Sequence, residues 1–167
     1  MSMLTRLRGL SRLLAITAAL GLPTLAPAAD ANPGELPIHQ IARTGTGEEV
    51  IAALKANPKA RDARTARGST PLHLAAMNSD LSAMKALIAA GADPNARDET
   101  GSTPLHMAAY ATRTDNAQLL LEAGADPVAK NLAGRDPAAM GRKVKADETV
   151  GIISLWILKG CQAGKPC

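Results

Sequence analysis

The chain has 167 residues and contains no phenylalanine, one tryptophan and one tyrosine. Aromatic side chains bury large apolar areas, so the core of a large sandwich or barrel normally relies on them. This composition instead favours thin, repetitive helical layers built from Ala, Leu, Ile and Met. Nineteen basic residues outnumber fifteen acidic ones, but three of the nineteen are arginines within the first twelve residues. The other sixteen basic residues nearly balance the acidic ones, so we expect no nucleic-acid partner.

The N-terminal segment predicts an export signal. Three arginines in residues 1–12 precede an uninterrupted apolar stretch at residues 13–22. Ala26-Pro27-Ala28 then supplies small residues at the spacing that signal peptidase reads, so we predict a signal peptide of residues 1–28, cleaved after Ala28. Ten apolar residues span roughly 15 Å as a helix, about half of the hydrocarbon core, which argues against a membrane span.

The same segment indicates the export route. It contains no Arg-Arg pair, and no cysteine follows the apolar stretch directly, which favours general secretion over the twin-arginine route and over a lipoprotein anchor. We therefore expect a periplasmic protein with no stable membrane insertion after cleavage. Residues 29–36 contain Pro, Asn and Gly and predict a flexible lead-in.

Two independent landmarks recur in the rest of the chain at an offset of 33 residues. The segment Gly68–Ala76 returns as Gly101–Ala109, and Gly91–Pro94 returns as Gly124–Pro127. Chance does not explain two landmarks that share one period. These residues resemble the ankyrin repeat, which has the same period and a Thr-Pro-Leu-His signature. The resemblance implies a β-turn followed by two helices in each repeat, stacked into an all-α solenoid.

The resemblance covers residues 37–159, which we expect to form an ankyrin-repeat domain of about four repeats. Two repeats are regular, and two are degenerate caps at about residues 37–63 and 134–159. The segment Ile38–Ala42 echoes the first helix of a regular repeat, whereas Gly134–Met140 keeps an Asp-Pro start but loses the Leu-His pair. Four repeats exceed the minimum of about three that a stable stack needs.

Local patterns predict where the helices begin and end. Thr70 and Thr103 precede prolines, so each can cap a helix whose first position is proline, where the missing N–H costs nothing. Gly91 and Gly124 can adopt the left-handed conformation that ends a helix. Asp147 is expected to cap the last helix. We predict the second helices of the four repeats at residues 48–57, 81–90, 115–123 and 147–158.

The histidines invite a comparison between metal binding and a structural role. His39, His73 and His106 all occupy repeat positions, and one whole repeat separates His73 from His106. The ankyrin resemblance implies that this histidine bridges neighbouring turns through hydrogen bonds. The chain also lacks the common nucleophile, phosphate-loop, dinucleotide and zinc-protease motifs. We therefore expect no metal, no cofactor and no catalytic activity.

The tail at residues 160–167 contains both cysteines of the chain, Cys161 and Cys167. Two cysteines are too few for a disulfide scaffold or a multi-cysteine zinc module. An oxidising periplasm favours a disulfide between them over two free thiols. Residues 152–158 form an apolar run before the tail, and the pattern leaves open whether one side of this run is exposed.

The ankyrin resemblance also implies a binding surface, because ankyrin stacks bind through the turn tips and the first helices, which form a concave face. Tyrosine and arginine often dominate binding energy. Basic residues that recur along the turns predict a partner protein with an acidic patch. The partner-binding residues predicted in this way are Arg64, Arg67, Met77, Arg97, Glu99, Thr100, Tyr110, Lys130 and Arg135, and the same pattern places Ser102 on this face.

These expectations lead to a non-enzymatic protein-binding module. Exported bacterial ankyrin proteins similar to this one have been linked to periplasmic oxidative-stress enzymes such as catalase, so the resemblance implies an adaptor or chaperone-like role in that setting. An alternative is an immunity protein that neutralises a toxin delivered into the periplasm. A third class is a redox carrier that uses the two tail cysteines, although it lacks the usual two-residue spacing. The sequence leaves the identity of the partner open.

Overall fold

A computed structural model describes residues 34–164, so the predicted signal peptide and most of the predicted lead-in lie outside the described part of the chain. Within residues 34–164 the structure contains eight α-helices, one short 3₁₀ helix and no β-strand. The α-helices are α1 (Pro37–Thr44), α2 (Gly47–Ala56), α3 (Pro71–Ala75), α4 (Leu81–Ala89), α5 (Pro104–Tyr110), α6 (Thr114–Glu122), α7 (Pro137–Lys143) and α8 (Asp147–Lys159), and the 3₁₀ helix is Pro58–Asp62.

The helices form four pairs that stack in one row. Helices α1, α3, α5 and α7 contact one another in sequence and form one layer, and α2, α4, α6 and α8 form a second layer. Each first helix also contacts the second helix of its own pair. Repeats that contact their neighbours in a row define a solenoid. The all-α architecture of about four stacked repeats is therefore confirmed.

The first helix of every pair begins with a proline at its first position, where no backbone N–H is needed. Thr70 and Thr103 occupy the preceding cap positions in the two regular repeats, as predicted. In the last repeat the side chain of Asp136 takes this place and accepts a hydrogen bond from the N–H of Ala139 at 2.7 Å. A short polar residue thus precedes the proline in each of these repeats, and in the last one its side chain caps the helix.

Two second helices end as the sequence predicts, whereas the predicted cap at the start of α8 is different. Gly91 has φ 83° and Gly124 has φ 96°, which is the left-handed conformation that ends α4 and α6. The predicted boundaries of these helices agree with the structure to within one residue. The expectation that Asp147 caps α8 was wrong, because Ala146 holds the cap position and Asp147 is the first helical residue. A carboxylate in the first turn still interacts favourably with the helix dipole.

Small side chains allow the layers to approach closely. Ala75, Ala108 and Gly141 hold the same position in three successive repeats, and all three are buried. A Cβ atom at Gly141 would lie only 2.7 Å from Cγ2 of Val150. This separation is far below van der Waals contact, so a larger residue at position 141 would force Val150 to shift and would disturb the packing of α7 against α8. The core therefore consists of thin layers, as the shortage of aromatic residues predicts.

The last helix has one buried side and one exposed side. Ile153 is fully buried and Trp156 packs against the core, whereas Leu155 is 48% and Leu158 83% exposed. This resolves what the apolar run in the sequence left open. Within residues 34–164, no helix combines the length and the apolar character that a bilayer crossing requires.

Candidate protein-binding surface

Histidine rings link each repeat to the next. Nε2 of His73 lies 3.0 Å from the carbonyl oxygen of Ser102, and Nε2 of His106 lies 3.0 Å from that of Arg135. Nε2 of His39 also lies 3.0 Å from a carbonyl oxygen of the next repeat, that of Ala63, which directly follows the 3₁₀ helix. The bridging role implied by the family resemblance is confirmed, and it occurs at all three histidines.

The hydrogen bonds of His73 and His106 require both of these rings to be neutral. Nδ1 of His73 accepts the backbone N–H of Thr70 at 3.1 Å, and Nδ1 of His106 accepts that of Thr103 at the same distance. Because a backbone N–H can only donate, Nδ1 carries no proton, and Nε2–H donates to the carbonyl of the next repeat. Burial lowers the pKa of both His73 and His106, although their carbonyl acceptors act in the opposite direction.

The β-turns are organised by a side-chain oxygen at the same position of each repeat, occupied by Thr65, Asp98 and Asn131. Oδ1 of Asp98 accepts the N–H groups of Thr100 and Ser102 at 2.8 and 2.9 Å. Oδ1 of Asn131 accepts two N–H groups of its own turn at 3.0 and 3.1 Å. The search for identical residues at the 33-residue offset missed this position, because Thr, Asp and Asn are different residue types. All three have a side-chain oxygen that can accept these hydrogen bonds.

Two of the predicted partner-binding arginines hold the turns together. Nη1 of Arg64 donates to the carbonyls of Gly68 at 2.7 Å and Arg97 at 2.6 Å. Nη1 of Arg97 donates in the same way to Gly101 at 2.9 Å and Lys130 at 2.7 Å. Each guanidinium therefore connects its own turn to the next. Arg64 and Arg97 give the surface positive charge, but their side chains position the turns.

Three large hydrophobic or aromatic side chains are exposed on the first helices and turns. Tyr110 is 51% exposed and Met77 is 38% exposed, and the two hold equivalent positions at the end of α5 and shortly after the end of α3. Leu132, near the tip of the third turn, is 82% exposed. Large exposed apolar side chains on a rigid support often anchor a protein partner.

The polar residues of the predicted site separate into exposed and buried groups. Arg135 is half-buried, and its carbonyl accepts the bond from His106. Ser102 is only 1% exposed, because its carbonyl and its N–H both take part in the turn network, so its expected place on the binding surface was wrong. Apart from Arg64 and Arg97, whose guanidinium groups bond to the turns, the exposed polar residues of the predicted site are Arg67, Glu99, Thr100 and Lys130.

The sequence analysis also missed two residues that bond to backbone carbonyls near the end of α3. Nδ2 of Asn116, a buried side chain, donates to three carbonyl oxygens at and just after the end of α3, at 2.9, 3.0 and 3.2 Å. Nε of Arg113 donates to the carbonyl of Met77 at 3.2 Å. Neither residue type recurs at the 33-residue offset, so the repeat pattern carries no signal for them.

A family model described as ankyrin repeats, in three copies, matches residues 24–131. The match spans more than half of the chain and ends in the third turn, so α7 and α8 continue the stack beyond it. The chain belongs to the ankyrin-repeat family. Ankyrin repeats generally act as protein-interaction modules and are typically non-enzymatic. No curated protein matches the chain.

In this ankyrin-repeat protein the turn tips and first helices carry the partner-binding residues that the sequence predicts. We name it the concave face and define it by its exposed side chains, which are Arg67, Met77, Glu99, Thr100, Tyr110, Lys130 and Leu132.

Two other kinds of site were considered in the sequence, a disulfide in the tail and a metal site at the histidines. The N–H of Cys161 donates to the carbonyl of Trp156 at 3.1 Å, so the tail begins with a fixed turn. Cys167 lies outside the described residues, so the disulfide stays a prediction. Within residues 34–164, no three His, Cys, Asp or Glu side chains are grouped in a way that could hold a metal ion.

Because Arg97 bonds to turn carbonyls and Arg67 does not, replacing each by alanine should change the free energy of unfolding by different amounts. Arg97→Ala removes two carbonyl hydrogen bonds and should lower the free energy of unfolding by about 1–2 kcal/mol in urea titrations. Arg67→Ala removes an exposed cation and should change it by less than about 0.5 kcal/mol. Equal values for the two variants would show that Arg97 does not hold the turns.

The neutral histidines predict a loss of stability in mild acid. A folded-state pKa below the unfolded value of about 6.5 contributes stability that is present above that value and is lost as the pH falls through the folded-state pKa. Urea titrations between about pH 7.5 and pH 5 should therefore show declining stability. The double variant His73→Gln with His106→Gln should depend less on pH over this range. Ring protons that titrate at or above the unfolded value in NMR spectra would contradict this account.

Proposed function

We propose that this chain is a non-enzymatic binding module whose concave face docks an acidic segment of a partner protein. The observation that carries the proposal is the exposure of Tyr110 on a face whose turn tips carry more exposed cations than exposed acids. An exposed, rigid aromatic side chain and unpaired positive charge on the same face are typical anchors for a protein partner.

The charges of the turns support an acidic partner. Arg67 and Lys130 are exposed on the turn tips, and Arg64 and Arg97 add positive charge even though their donors are occupied. Asp98 accepts three hydrogen bonds within its own turn, so its charge is partly compensated. The concave face is therefore positive on balance, and a positive patch selects and steers a negative one.

Acidic residues concentrate instead on the layer of second helices. The first turns of α2, α6 and α8 carry them, at Glu48 and Glu49, at Asp115, and at Asp147 and Glu148. Acidic side chains in the first turn stabilise a helix by interacting with its dipole. The acidic first turns of the second helices are therefore separate from the exposed cations of the turn tips, although the whole chain is nearly neutral outside its N-terminus. An acidic partner therefore has one preferred side on which to dock.

We place this binding in the periplasm, on the basis of the signal peptide predicted at residues 1–28. The proposed role is that of an adaptor or chaperone-like module, with oxidative-stress defence as the setting that the family resemblance suggests. An immunity protein against a toxin delivered into the same compartment would use the same face. The identity of the captured partner distinguishes the two, because one is a resident enzyme and the other an incoming toxin.

Charge reversal on the concave face should weaken binding. Arg67→Glu combined with Lys130→Glu replaces attraction by repulsion and should weaken capture of the partner from periplasmic extract by more than about tenfold. Lys55→Glu combined with Lys85→Glu changes the net charge equally at exposed positions of the second helices and serves as the matched control. Equal capture by the two double variants would rule out the concave face.

The compartment is tested by the mass of the chain in its native host. Export predicts a periplasmic product that begins at Ala29 and gains the mass of two hydrogens on reduction, because the Cys161–Cys167 disulfide opens. A product in the cytoplasm that keeps residues 1–28 would contradict the periplasmic proposal without affecting the concave face.

A further inference from the structure

The outer side of α8 is an exposed surface at the end of the stack. Asp147, Gly151, Leu155 and Lys159 follow one another at intervals of four residues, so they form a single stripe along this helix. All four are exposed, on the side opposite the buried Ile153. Their order is acidic, small, large apolar and basic.

No other described part of the chain covers this stripe. After α8 the tail turns back towards α6, where the N–H of Gly164 donates to the carbonyl of Glu122 at 3.3 Å. Leu158, beside the stripe, is 83% exposed. In the earlier repeats a histidine bonds to a carbonyl of the next repeat. The last repeat has alanine at the corresponding position, 139, so it has no histidine that could bond to a further repeat.

Gly151 has no explanation within the chain. A glycine in the interior of a helix is less favourable than alanine by about 1 kcal/mol. A Cβ atom at Gly151 would meet nothing within 4 Å, and this glycine has no positive φ. Gly141 differs, because a Cβ atom there would collide with Val150. The absence of a side chain at Gly151 is explained if another backbone approaches from outside.

We infer that α8 is a dimerisation helix and that a second copy of this chain packs its own α8 on the stripe in antiparallel orientation. In one register, Leu155 of each copy lies over Gly151 of the other. The same register places Lys159 of each copy beside Asp147 of the other. A single alignment thus satisfies the apolar contact and the charge pair, and the two-fold symmetry repeats both.

The alternative assembly, a head-to-tail continuation of the stack, is opposed by charge. It would place α2 of a second copy against α8, with the two helices parallel as successive second helices are. Both helices carry acidic residues in their first turn, and both have a lysine in their last turn, Lys55 in α2 and Lys159 in α8. Like charges would meet at both ends, whereas the antiparallel arrangement pairs opposite charges and closes the assembly.

Exchanging the charges of the stripe tests this inference. Sedimentation equilibrium measures the dimerisation constant of the purified protein, used with whatever N-terminus the producing cell leaves. Two crossed helices bury less than a standard interface, so we expect a weak dimer in the micromolar range. Lys159→Glu alone and Asp147→Lys alone should each weaken dimerisation by about tenfold. The double variant should restore it, because the charge pair is re-formed with its signs exchanged. Circular dichroism verifies that each variant remains helical.

A substitution at Gly151 tests the close approach separately. Gly151→Gln introduces a better helix former, so it should leave the monomer folded or raise its melting temperature, and it should weaken the dimer by more than about tenfold. The charge reversal on the concave face, Arg67→Glu with Lys130→Glu, should leave dimerisation unchanged. A wild-type chain that stays monomeric up to millimolar concentration would overturn the inference. Failure of the double charge exchange to restore the dimer, or stronger association of Lys159→Glu alone, would also overturn it.

Discussion

A neutral histidine ring held between successive repeats is the interaction on which the stack depends. Each ring accepts the N–H at the start of its own helix and donates to a carbonyl of the next turn, as His73 does towards Ser102. Both partners are buried backbone groups that would be costly to leave unpaired. The ring therefore fixes the distance and the rotation between repeats. The last repeat has Ala139 at this position, and the described chain offers no further turn for a histidine to reach.

The residues of the hydrogen-bonded turns have two different roles. Some order the turns, and others are exposed and available to a partner. Arg64 and Arg97 direct their guanidinium groups at backbone carbonyls, so they order the turns. Arg67, Lys130 and Tyr110 project from the ordered turns and helices without such bonds. Binding residues on ordered loops lose less conformational entropy when a partner docks. A turn that is already ordered therefore makes a small number of exposed anchors effective.

The sequence predicted the repeat architecture, the helix ends at Gly91 and Gly124 and the bridging histidines, because each of these depends on a residue type that recurs at a fixed offset. It could not separate Arg64 from Arg67, since both are turn arginines and only the direction of the side chain distinguishes their roles. The burial of Ser102 was missed because the repeat pattern assigns a residue to the turn without showing that its backbone bonds within the turn network. The carbonyl contacts of Asn116 arise from packing between neighbouring repeats, and no periodic signal accompanies them.

The most direct test of the concave face is a photo-crosslinking amino acid placed at Tyr110 and, in a parallel sample, at Ile51. Both positions are similarly exposed, at 51% and 47%, but Ile51 lies on α2 in the other helix layer. If the concave face docks a protein, irradiation of living cells will give one discrete adduct from position 110 and none of that mass from position 51. The account is contradicted if position 110 gives no adduct, or if both positions give the same one.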